Sequence, residues 1–112
     1  MTAAGDSEAA YIAAVLMHYA DLPDTPMRPS LPDQSLARKL HRDAVPLPLV
    51  ESALLLGSLR RLTRAADLPP LPKIRSLAYF MPVIEELQLQ PLPHRYADYL
   101  RLKLQNLARN PA

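Results

Sequence analysis

The chain has no cysteine and no tryptophan, and only two glycines and one phenylalanine among its 112 residues. Without cysteine there are no disulfides, no thiolate nucleophile and no Cys-ligated zinc or iron–sulfur centre. Two glycines leave no loop of the Walker or dinucleotide-binding type, in which bare backbone cradles a phosphate. Uninterrupted apolar runs such as Ala53-Leu54-Leu55-Leu56 fall far short of the ~20 residues of a membrane-spanning helix. The first residues, Met1-Thr2-Ala3-Ala4-Gly5-Asp6, carry no basic stretch followed by an apolar one, so no secretory signal is expected. No membrane partner and no cofactor are implied, and the cytoplasm is the expected compartment.

Proline is what the chain has in excess, with thirteen. Most fall in clusters, at Pro23/Pro26/Pro29/Pro32, Pro46/Pro48, Pro69/Pro70/Pro72 and Pro91/Pro93. Proline lacks the N–H and fixes φ, so it ends a helix or occupies its first turn. The clusters therefore mark connections between helices. An apolar fraction of 49% with 21% charged residues is that of a globular chain, and this length fits one domain with one core.

Five stretches carry helical periodicity, and none shows strand alternation. Residues 7–21 repeat Tyr11/Ile12, Val15/Leu16 and Tyr19, with Asp6 or Ser7 as N-cap. Residues 31–43 follow Ser30, whose hydroxyl stands three residues before Asp33, a shortened capping box, and turn Leu36, Ala37 and Leu40 inward. Residues 48–64 carry Leu49, Val50, Ala53, Leu54, Leu55, Leu56, Leu59 and Leu62 with little polar face, which makes this the central helix. Gly57 within it is expected to admit the close approach of a neighbouring helix. Residues 73–89 carry Ile74, Leu77, Met81, Ile84 and Leu87, and Pro82 should kink or split this helix near Ala78. Residues 94–109 place Tyr96, Leu100, Leu104 and Leu107 on one side. The expected fold is all-α, a compact bundle of about five helices with Pro-rich connections, spanning 1–112 as one domain with frayed ends at 1–6 and 110–112.

No catalytic residue emerges from this pattern. His18, His41 and His94 lie on three different elements, so none pairs at the i, i+4 spacing of a helical metal site. Glu85 and Glu86 are adjacent, and neighbours on a helix diverge by about 100°, so they do not converge on a metal or a scissile bond. No metal site and no enzymatic activity are expected.

Charge is distributed unevenly. Residues 1–33 hold one basic and five acidic residues, a balance of −4, whereas residues 34–112 hold twelve basic and six acidic, a balance of +6. The steepest rise runs through Arg60, Arg61, Arg64, Lys73 and Arg75, with Asp67 the one acid among them. Arginines in a last helical turn complement the helix dipole. Lys73 and Arg75, expected in a first turn, stand at the wrong end for that, so either a nucleic-acid backbone or another polyanion, or acidic partner side chains or solvent, is expected to offset them.

A helix-turn-helix is ruled out by the second helix, since 48–59 offer only Glu51, Ser52 and Ser58 to base edges. Residues 74–87, Ile-Arg-Ser-Leu-Ala-Tyr-Phe-Met-Pro-Val-Ile-Glu-Glu-Leu, together with 46–61, resemble short uncharacterised bacterial helical proteins. More distantly they are similar to the C-terminal module of DnaD-like replication-initiation and helicase-loading proteins. That family carries a Tyr-x-x-x-Ile-x-x-x-Trp signature implicated in DNA binding. Tyr79, Val83 and Leu87 match its spacing with Val for Ile and Leu for Trp, and Pro82 falls inside it.

Two functions stay open at this point. One is a non-enzymatic accessory of replication or of a mobile element, touching nucleic acid without sequence preference through Arg60, Arg61, Arg64, Lys73 and Arg75, with Tyr79 stacking on a base. The other is a protein-interaction adaptor or small homo-oligomeric module, engaging a larger protein or a second copy through the acidic N-terminal third or spare apolar width of the central helix.

Overall fold

The computed structural model describes residues 4–93 and 95–109. Five α-helices and one 3₁₀ turn are present, and no strand occurs among the described residues: α1 (Ala4–Ala20), α2 (Leu31–Arg42), α3 (Leu47–Leu62), the 3₁₀ turn (Leu77–Phe80), α4 (Met81–Leu89) and α5 (Tyr96–Arg109). The chain is thus the small all-α bundle expected. Its radius of gyration of 14.5 Å slightly exceeds the ~13 Å typical of this length, because α5 rests on α3 at one side of the bundle.

The central position of α3 follows from its composition. Val50, Ala53, Leu54 and Leu59 are buried, and α1, α4, α5 and the 3₁₀ turn all pack against it. Burying a Val or Leu side chain contributes roughly 1.5–3 kcal/mol, so α3 is the main source of apolar stabilisation. Gly57 acts as expected. A Cβ there would lie 2.8 and 2.9 Å from two ring carbons of Phe80, so the missing side chain is what lets the buried ring lie against α3.

α1 starts at Ala4, earlier than expected, so Ala4–Asp6 belong to the helix rather than to a frayed end and neither Asp6 nor Ser7 caps it. Its buried stripe is Tyr11, Val15 and Tyr19, continued by Leu22 beyond its end. The Tyr11 hydroxyl donates to the Val45 carbonyl at 2.7 Å, and burial pushes its pKa up to about 12.

The capping box at α2 is present, and it does more than cap. Asp33 N–H donates to Ser30 Oγ at 3.2 Å, and Asp33 Oδ2 accepts from Ser30 N–H at 2.9 Å. The other carboxylate oxygen, Oδ1, accepts from Leu77 N–H at 2.9 Å. Asp33 is buried and so ties the start of α2 to the start of the 3₁₀ turn. α2 ends at Arg42, and Ala44, just past its cap Asp43, has a φ of 60°, a left-handed conformation that glycine adopts more readily.

The fourth segment departs from the expectation at its start. Residues 73–76 are not helical. Pro72 precedes them, Ile74 N–H donates to the Asp24 carbonyl at 2.9 Å, and the Ile74 side chain is buried. The chain thus runs extended across the end of α3 before the 3₁₀ turn. Pro82 splits the remainder as expected: the 3₁₀ turn stops at Phe80, and Pro82 sits in the first turn of α4, where its missing N–H costs nothing.

α5 buries Leu100 and Leu104, with Ala97 and Leu107 partly covered. Tyr96, expected on that inward side, is exposed. His94, the expected first residue of this helix, lies outside the described residues, as do 1–3 and 110–112.

Candidate functional site

The basic segment is built at the C-terminal end of α3, where the 69–76 stretch crosses it. Arg60 turns toward α4 and donates both Nη atoms to Glu86, at 2.8 and 2.7 Å. This two-pronged bond raises the Arg60 pKa and holds the Glu86 carboxyl below its ordinary value. Arg61 turns the other way, under the crossing segment. Its Nη1 donates to Tyr79 Oη at 3.1 Å, its Nη2 donates to the Pro72 carbonyl at 2.9 Å, and Asp24 Oδ2 lies 3.5 Å off. The Arg61 side chain is only 8% exposed. Arg64 donates to the Pro69 carbonyl.

Of the six residues singled out, Arg61 and Tyr79 meet directly, with the guanidinium carbon 5.3 Å from the ring centroid. Tyr79 is 44% exposed and stands edge-on to Phe80, with centroids 5.2 Å apart. Lys73 and Arg75 are exposed and make no ion pair among the described residues. The reasoning that set them at the positive end of a helix does not apply, because no helix begins there. The spaced motif is divided in the structure. Tyr79 lies in the 3₁₀ turn, whereas Leu87 is buried and Val83 packs against the core.

Two features escaped the sequence reading. The first is a cleft between α1, α3 and α5, floored by Leu22, Leu54, Leu55 and Leu104 and rimmed by His18, Asp21, Glu51, Arg101 and Gln105. Glu51 accepts from Arg101, and its other oxygen lies 3.4 Å from His18 Nε2. Burial lowers the His18 pKa below 6.5, Arg101 lowers it further, and Asp21 opposes both. Among the described residues, no three His, Asp or Glu side chains converge to hold a metal.

The second feature is the outer face of α5. Tyr99 and Leu102 are 51% and 58% exposed. Together with Lys103, Asn106 and Leu107 they line a shallow apolar groove. Tyr96 lies against Tyr99 at 5.4 Å between centroids, and Lys103 Nζ stands 5.9 Å from the Tyr99 ring. Periodicity alone could have marked this face, since Tyr99 and Leu102 lie opposite Leu100 and Leu104 on a helical projection.

No helix among the described residues is long and apolar enough to cross a membrane. Comparison of the chain with protein-family models, with curated proteins and with solved structures finds no match.

Proposed function

We propose that this protein is a non-enzymatic interaction module that binds a partner protein along the outer face of α5. The observation that carries this reading is the Tyr96–Tyr99–Leu102 surface. A solvated helix normally presents charged side chains opposite its buried stripe, and here aromatic and aliphatic groups take that place. Aromatic residues on an exposed, apolar groove are the groups that anchor protein interfaces. The exposed Lys103 lines the groove, and an amphipathic helix bearing a carboxylate beside its apolar stripe complements both its shape and its charge.

The test is selection from a display library of amphipathic helical peptides. Enriched peptides should be acidic, and their binding should be lost in the Tyr99→Ser/Leu102→Ser variant while its thermal midpoint stays close to wild type. Failure to enrich any peptide, or enrichment indifferent to that pair, would overturn the reading.

A second reading, contact with nucleic-acid backbone in replication or on a mobile element, draws support from the exposed Lys73 and Arg75 beside the half-exposed Tyr79. It is weakened by the prior engagement of Arg60, Arg61 and Arg64 with Glu86, Tyr79, Asp24 and the carbonyls of Pro69 and Pro72. Affinity for an oligonucleotide that falls steeply with salt, and falls less steeply in Lys73→Ala/Arg75→Ala, is its expected signature.

A further inference from the structure

The crossing segment that engages two of these arginines has a chemistry of its own. It reads Leu68-Pro69-Pro70-Leu71-Pro72-Lys73-Ile74-Arg75, a Pro-x-x-Pro core followed by two cations. Each proline fixes its own φ near −65° and pushes the residue before it into the extended region. With three prolines in four positions, residues 69–72 are biased toward the polyproline II form, a left-handed helix of three residues per turn. No cis peptide bond occurs among the described residues, and the stretch carries no helix or strand assignment.

Pro69, Pro70, Leu71 and Pro72 are all exposed. Three residues per turn set Pro69 and Pro72 on one edge and Leu68 and Leu71 on the next. The carbonyls of Pro69 and Pro72 are held by Arg64 and Arg61, so the segment is strapped to the end of α3. Beyond the core, Lys73 and Arg75 point to solvent and Ile74 anchors the chain in the bundle.

We propose that residues 68–75 are a preorganised proline-rich ligand for a second partner, a domain with an aromatic-lined groove and carboxylates at the end of that groove. Pro-x-x-Pro segments dock into such grooves because their conformation is set before binding. The arginine straps reduce further the ordering that binding requires. The two exposed cations beyond the core select the acidic end of the groove and set the direction in which the segment lies. This surface is separate from the outer face of α5, and the proposal stands or falls without it.

The experiment is an NMR titration of the ¹⁵N-labelled protein with a panel of isolated SH3 and WW domains that carry acidic residues beside the groove. Shifts confined to residues 67–77 are expected, with affinity reduced roughly tenfold or more, about 1.4 kcal/mol, in Pro69→Ala/Pro72→Ala. Lys73→Glu/Arg75→Glu should weaken binding strongly at low salt and less at high salt. Tyr99→Ser/Leu102→Ser should leave it unchanged. If the proline pair loosens the fold, the charge pair carries the test alone. Binding by no member of the panel, shifts centred on α5, or affinity at low salt indifferent to the charge pair would overturn the proposal. So would oligonucleotide binding that needs the same two cations and ignores the prolines.

Discussion

The C-terminal end of α3 and the outer face of α5 show opposite treatments of their side chains. At the end of α3 the chain offers charge, and the fold engages most of it in contacts of its own: Arg60 with Glu86, Arg61 with Tyr79, Pro72 and Asp24, Arg64 with Pro69. On α5 it offers aromatic and aliphatic groups, and the fold leaves them outside. A count of charges along the sequence points to the first region as a binding surface. The contacts made there weaken that inference, because a guanidinium whose donors are satisfied by carbonyls and a carboxylate must exchange them before it can meet a phosphate. Exposed apolar area has no such prior engagement.

The comparison can be broken from below by removing the floor that both regions share. Leu54 is 1% exposed at the centre of α3, and Leu54→Ala should destabilise the protein by about 2–5 kcal/mol, read as a lower denaturant midpoint. A smaller change should disturb one region only. Gly57→Ala drives a Cβ into the Phe80 ring, which Tyr19 and Tyr79 confine edge-on. A cost of about 1–3 kcal/mol from overpacking should exceed the ~1 kcal/mol of helix propensity gained. Chemical-shift changes should gather around the 3₁₀ turn and α4 and spare α5.

Arg61→Ala sharpens the contrast further. It removes bonds to Pro72 and Tyr79 from a nearly covered side chain, so a loss of about 1–2 kcal/mol is expected, with faster amide exchange at Ile74 as the strap loosens. Arg60→Ala, at an exposed pair, should leave Ile74 untouched. Last is the pH dependence of the seat of α5. His18 is harder to protonate in the folded state than its ordinary value of 6.5, so the unfolded chain takes up the proton first. Stability should therefore fall as pH drops below about 6.5 and level off once the folded-state pKa is passed. His18→Gln should flatten that part of the profile, and equal slopes in the two proteins would remove His18 from the account.

Much of this arrangement was legible along the chain, for identifiable reasons. Local signals were reliable: Ser30 with Asp33 marked the start of α2, Pro82 marked the split before α4, and the near-continuous apolar run of α3 marked its centre. The 73–76 stretch reads as helix because Ile74 and Leu77, three apart, fit helical spacing, whereas Ile74 is buried from a non-helical segment and Leu77 from the 3₁₀ turn that follows it. Tyr96 reads as inward because a tyrosine at the edge of a stripe satisfies either face. The engagement of Arg60 depends on Glu86, 26 positions away, and that of Arg61 on the path of the 69–76 segment. Pairings of that range leave no periodic trace.

Asp33 joins two distant parts of the chain through one carboxylate, with Ser30 and Leu77 as donors. A group that closes both ends at once makes their opening a single event. The amide protons of Asp33 and Leu77, 44 positions apart, should then exchange with solvent through the same transient unfolding and show the same protection. Asp33→Ala should lower both together, and Ser30→Ala should lower the first far more than the second. On this account, the crossing segment and α2 detach as one cooperative unit, and the lifetime of the strapped proline segment depends on a carboxylate at the far end of that unit.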